Sequence, residues 1–153
     1  MSTIRTVTLL VFDDVEVLDF CGPFEVFSIA NRFTDPPAFH VLTVAETAAT
    51  VLTSGGLSVN PHHGLNDCPE PDILLVPGGQ GTRKMMQNTA LIDWIRQVSS
   101  KAERILSVCT GALLLANTNR PMRINPEVLR QMLATPPSAY GRGRPADPGR
   151  RIA

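Results

Sequence analysis

Cys109, in ILSVCTGALLLA (residues 105–116), is the side chain with the most chemistry available to it. A β-branched run ends at this cysteine, and an apolar helical run begins at Gly111. A strand that turns into a helix within one or two residues lifts the intervening thiol out of the sheet. The helix amides beside it favour an anion, and the thiolate is the nucleophilic form of cysteine. The nucleophile elbow of the hydrolases works mechanically in the same way. The other reading is a buried cysteine that fills a strand end, as free cysteines commonly do.

Two further segments carry matching chemistry. In VPGGQG (76–81) glycines directly follow an apolar run, which lets backbone N–H groups approach a ligand or an oxyanion. Gly78 and Gly79, with Gly111 after Thr110, are the candidate oxyanion or substrate-binding positions. The alternative is a plain glycine-rich turn. In DDVEVLDFCGPFE (13–25), Asp13 and Asp14 read as solvated turn residues. Asp19, set among Leu18, Phe20 and Cys21, is the carboxylate expected to be partly buried and within reach of the thiol. Otherwise Asp19 caps a helix that begins at Pro23. His62-His63 has no carboxylate or cysteine at ligand spacing, so no metal site is expected, and no cofactor-binding motif is recognised.

The elements that must hold these residues follow from periodicity. Ile4–Phe12 loses its polar alternation after Thr8, as a strand buried on both faces does. The spacing predicts a helix from Pro23 to about Phe33, a strand over Phe39–Ala45, and a hairpin over Val51–Val59 turning at Ser54-Gly55-Gly56. A buried strand over Asp72–Pro77, an amphipathic helix over Thr89–Ser100, a strand over Arg104–Cys109 and a helix over Gly111–Ala116 complete the series. Strands and helices alternating at this length imply a parallel sheet with helices on both faces. Its carboxyl edge then collects the loops after the first strand, after Val76 and around Cys109.

Composition narrows the class. The 153 residues, 43% hydrophobic and 18% charged, suit one ordinary globular domain. Net charge is zero, but residues 1–116 carry −5 and residues 117–153 carry +5. An Arg/Pro-rich end of this kind is expected to be disordered over 135–153 rather than to bind nucleic acid, with a short helix over 126–134 before it. Three cysteines without CxxC spacing suggest neither a disulfide framework nor structural zinc. No apolar run reaches the roughly 18 residues of a membrane span, so a cytoplasmic protein with reduced thiols is expected.

Together, VFDDVEVLDFCGPFEVF (11–27), DILLVPGGQGTR (72–83) and ILSVCTGALLLA (105–116) resemble the ThiJ/PfpI family of the class I glutamine amidotransferase-like superfamily. The resemblance covers about residues 4–116, giving a family-like domain over 1–116 and a divergent tail over 117–153. It implies an α/β, flavodoxin-like three-layer sandwich with a mostly parallel sheet, incomplete at the C-terminus, and a homodimer. After Ala116 the Arg/Pro-rich sequence departs from the family, as a truncation or frameshift would produce. Thr directly after Cys, together with LDFCGPFEVF, is most similar to the isonitrile hydratase branch, whose members hydrate an isonitrile to an N-substituted formamide.

By that resemblance Cys109 is the nucleophile, Asp19 its acidic partner and Thr110 the residue completing the site, with the Gly79 and Thr110 amides as oxyanion donors. No histidine follows Cys109, which argues against the amidotransferase triad, and Thr110 stands where the protease-like branch has histidine. A small-molecule substrate is implied. Two other functions fit similar sequences: the ligand-sensing N-terminal part of AraC-type transcription regulators, and a stress-response or carbonyl-directed member of the superfamily.

Overall fold

The computed structural model describes residues 4–119 and Arg130. The expected helix over 126–134 (Arg130 apart) and the expected disordered end over 135–153 lie outside the described residues.

Five strands form one parallel sheet in the order β5-β2-β1-β6-β7: β1 (Arg5–Leu10), β2 (Phe39–Ala45), β5 (His63–Gly64), β6 (Ile73–Val76) and β7 (Arg104–Ser107). Strands β3 (Val51–Leu52) and β4 (Ser58–Val59) make a separate antiparallel hairpin turning through Ser54–Gly56, as the sequence suggests. The helices are α1 (Val17–Ala30), α2 (Thr82–Met85), α3 (Thr89–Lys101) and α4 (Gly111–Ala116). Without the short β5, the order 2-1-6-7 is the doubly wound, flavodoxin-like arrangement. The right-handed crossovers β1–α1–β2 and β6–α3–β7 run in opposite directions across the sheet and put α1 on one face and α3 on the other.

β1 is the central strand, and its apolar run explains why. Val7, Leu9 and Leu10 are fully buried, as are Val44 of β2 and Leu74 and Val76 of β6. Burying each such side chain contributes about 1.5–3 kcal/mol. Val7 sits between Val41 and Ile73, and Leu9 between Thr43 and Leu75. Side chains pin this register at its start. Asp72 Oδ2 accepts the Thr6 N–H at 2.7 Å, and Asn31 clamps Phe39 through both its amide groups. Asn88 caps α3 by accepting the Leu91 N–H at 3.0 Å, and Leu91, Ile92, Ile95 and Val98 bury the face the periodicity identifies.

The first helix differs from its expected position. It opens at Val17, six residues before Pro23, which therefore lies inside the helix. Glu16 is the N-cap and makes no side-chain capping bond, so Asp19 is not the cap. Pro23 misleads because proline is most at home in the first turn of a helix, whereas here it stands in the second and has no N–H to donate to Asp19 O. The two-residue β5 and the single-turn α2 were not expected, being too short to show a period.

Candidate active site

Three loops meet at the carboxyl edge of the sheet, where the strand order reverses and ligands of doubly wound folds bind. The β1 loop and the β6 loop are stitched by backbone bonds. Glu16 N donates to Gly78 O at 3.0 Å and Gly81 N to Asp14 O at 3.2 Å, around an isolated bridge from Val15 to Gly79. Gly79 adopts φ +130, which only glycine takes without strain, and a Cβ there would lie 2.4 Å from Asp14 O.

The third loop carries the thiol. β7 ends at Ser107, and Val108 N is still bonded to Val76 O at 3.1 Å. Cys109 then turns left-handed, with φ 52, before Thr110 and α4 continue in the right-handed region. A non-glycine residue held there costs about 1–2 kcal/mol. Cys109 is exposed on this turn, at the end of an edge strand whose Arg104, Leu106 and Ser107 are exposed as well, rather than buried at the strand end. The other two cysteines are half-buried, and burial pushes the thiols of Cys21 and Cys68 up from their ordinary pKa.

Thr110 is buried behind the thiol, and its hydroxyl is the hub of the glycine loop. Gly79 N donates to Thr110 Oγ1 at 3.0 Å, Thr110 Oγ1 donates to Gly79 O at 3.3 Å, and Thr82 Oγ1 lies 3.0 Å away. This corrects one expectation. The Gly79 N–H is taken by the threonine and is not a free oxyanion donor, whereas the Thr110 N–H meets no acceptor among the described residues. Gly111 is also corrected: it is buried, its N–H bonds Val108 O, and a Cβ would lie 2.1 Å from Val76 O. It is there for close packing of α4 on β6. Asp19, in the first turn of α1, is half-buried and accepts the Gly78 N–H on Oδ2 at 3.1 Å, so Gly78 too is corrected as an oxyanion donor.

Cys109 and Thr110 border a small cavity of about 70 Å3 together with Glu16, Gly79, Gln80 and Arg83. Glu16, Gln80 and Arg83 were not singled out in the sequence. Their signal was their place in the two loops that flank the thiol. Among the described residues, no three His, Cys, Asp or Glu side chains gather as metal ligands would, and no helix is long and apolar enough to cross a membrane.

The sequence profile of the DJ-1/PfpI family matches residues 5–122. The chain belongs to the DJ-1/PfpI family. The isonitrile hydratase of Pseudomonas putida is 35% identical over 106 residues, covering 69% of this chain and 44% of the hydratase. An HTH-type transcriptional regulator of Mycobacterium tuberculosis is 47% identical over 45 residues, 29% of this chain and 17% of the regulator. The crystal structure of a ThiJ/PfpI family protein from Pseudomonas syringae has the same fold, with a TM-score of 0.65 at 24% identity, covering 76% of this chain and 46% of that one. The DJ-1/PfpI chain described here thus spans less than half the length of that hydratase and of that crystallised protein.

Proposed function

We propose that the protein hydrates an isonitrile to an N-substituted formamide, with Cys109 as nucleophile. The observation that carries this reading is the exposed Cys109 thiol on a left-handed turn, opening onto a small cavity. The 35% identity to an isonitrile hydratase supports the substrate class.

In the proposed reaction the Cys109 thiolate forms a bond to the terminal isonitrile carbon, and that carbon takes a proton, giving a thioimidate. Water then adds to the same carbon and gives up a proton. The C–S bond breaks, the nitrogen ends with one hydrogen, and the formamide leaves as the thiolate is restored. Asp19 carries the proton in both steps. Its Oδ2 is engaged by Gly78, which leaves Oδ1 for this task, and Glu16 is the carboxylate that borders the cavity itself. The Thr110 N–H is available to the oxygen that water brings in.

The test is turnover of a small alkyl isonitrile, followed by formation of the N-alkyl formamide. Wild type should produce it and Cys109→Ala should not. Equal formation by both would end the proposal.

A second reading is a ligand-sensing domain of the regulator type, favoured by the 47% identical stretch shared with the HTH-type regulator. Binding of small molecules without any turnover would select it. In either reading the proposed assembly is a homodimer in the cytoplasm, where thiols stay reduced. The outer face of α1 supports the dimer: Leu18 is 76% and Phe33, just beyond the helix, 82% exposed, with Val26 between them. Such an apolar stripe is a common mark of an interface.

A further inference from the structure

The carboxyl edge of the sheet also carries a larger cleft, about 620 Å3, that the chemistry of Cys109 does not use. Small-molecule sites span roughly 300–1,000 Å3. The ends of β1 and β2 form its floor, where Val11 and Ala45 are buried; the 46–51 loop, α2 and the start of α3 form its walls.

Charges of both signs stand on different walls. Glu46 is fixed by Asn88, whose Nδ2 donates to Oε2 at 2.8 Å while its Oδ1 caps α3. Asp13 is fixed by the Leu52 N–H, donated to Oδ1 at 3.0 Å. Each carboxylate therefore has one oxygen engaged and positioned by the protein. Lys84 of α2 borders the same cleft, and its ammonium has no hydrogen bond or ion pair among the described residues. A lone surface lysine is ordinarily just solvated. This one shares a cavity with two carboxylates, each held by one hydrogen bond, and with the opening turn of α3, whose first amides lack intrahelical acceptors.

We propose that the cleft binds a zwitterionic metabolite of amino-acid or dipeptide size. Its carboxylate is drawn to Lys84 and the opening turn of α3, and its ammonium to Glu46 and Asp13. A simple anion would leave the two carboxylates unanswered and a simple cation would leave Lys84 unanswered; a zwitterion answers both. The site is separate from the thiol pocket, because α2 divides them: Arg83 borders the Cys109 cavity and Lys84 the cleft.

Free L-amino acids and dipeptides at millimolar concentration, tested by thermal shift and by amide NMR, decide the matter. At least one should raise the melting temperature saturably and shift the amides of the 46–51 loop and Thr89. Lys84→Met and Glu46→Gln should each weaken binding about tenfold, as expected when one charge-assisted bond is lost. Glu46→Gln keeps an acceptor for Asn88, so the cleft wall survives, and Cys109→Ala should bind as wild type does. The proposal fails if no member of the panel binds, or if N-acetylated or amidated analogues bind as well as the zwitterions. It also fails if binding survives both charge variants undiminished or disappears in Cys109→Ala.

Discussion

Gly78 donates its backbone N–H to Asp19 Oδ2 at 3.1 Å, joining the first turn of α1 to the glycine loop across 59 positions of sequence. The bond fixes the carboxylate beside the loops that flank the thiol. It also separates two roles of Asp19, holding the loop and carrying a proton. In Asp19→Asn the amide oxygen still accepts from Gly78, while the proton carrier is lost. Isonitrile turnover should fall by about 100-fold or more, with the melting temperature nearly unchanged. A variant with wild-type rates would leave Asp19 only the positioning of Gly78.

Thr110 makes a complementary case, because its hydroxyl binds rather than reacts. Thr110→Val has nearly the same shape but takes a partner from the half-buried Gly79 N–H and from the fully buried Thr82 hydroxyl. Urea unfolding should show a loss of about 1–3 kcal/mol, the cost of unpaired buried polar groups. Thr110→Ser should recover most of it. Equal stability of the valine and serine variants would contradict the hub role.

The left-handed backbone of Cys109 implies a trade of stability for reactivity. Cys109→Gly accepts φ 52 without strain and should be more stable than wild type by up to about 1 kcal/mol, while losing all turnover. A clear destabilisation would show that the turn is not strained.

Much of this site is legible in the sequence. The strand-to-helix switch at Cys109 and the glycines after Val76 place two of its loops, because buried strands of a parallel sheet read as continuous apolar runs. What the sequence hides is local and polar. Pro23 disguises the true start of α1, so Asp19 reads as a loop residue. Glycines also look alike as letters: Gly79 needs its positive φ and Gly111 needs its missing Cβ, and neither offers a free donor. Glu16 lies inside the 11–27 segment, but nothing in its spacing sets it apart from Asp13 and Asp14 until the β1 loop folds against Cys109.

The proposed dimer gives a further test at α1. Leu18→Glu with Val26→Glu puts charge on two exposed apolar positions and should yield monomers by light scattering, with the circular dichroism unchanged. Dimers that persist in the double variant would place the interface elsewhere.

The reactivity of Cys109 itself is measured most directly by site-resolved alkylation. Iodoacetamide is added at neutral pH, and mass spectrometry follows each cysteine over time. Burial raises the thiol pKa of Cys21 and Cys68, so both stay protonated at neutral pH and gain reactivity only as the solution becomes alkaline. Cys109, exposed on its turn, should be modified first, and its labelling should remove isonitrile turnover in step. Modification of Cys21 or Cys68 as fast as Cys109 at neutral pH, or full turnover after Cys109 is capped, would contradict a nucleophile at this elbow.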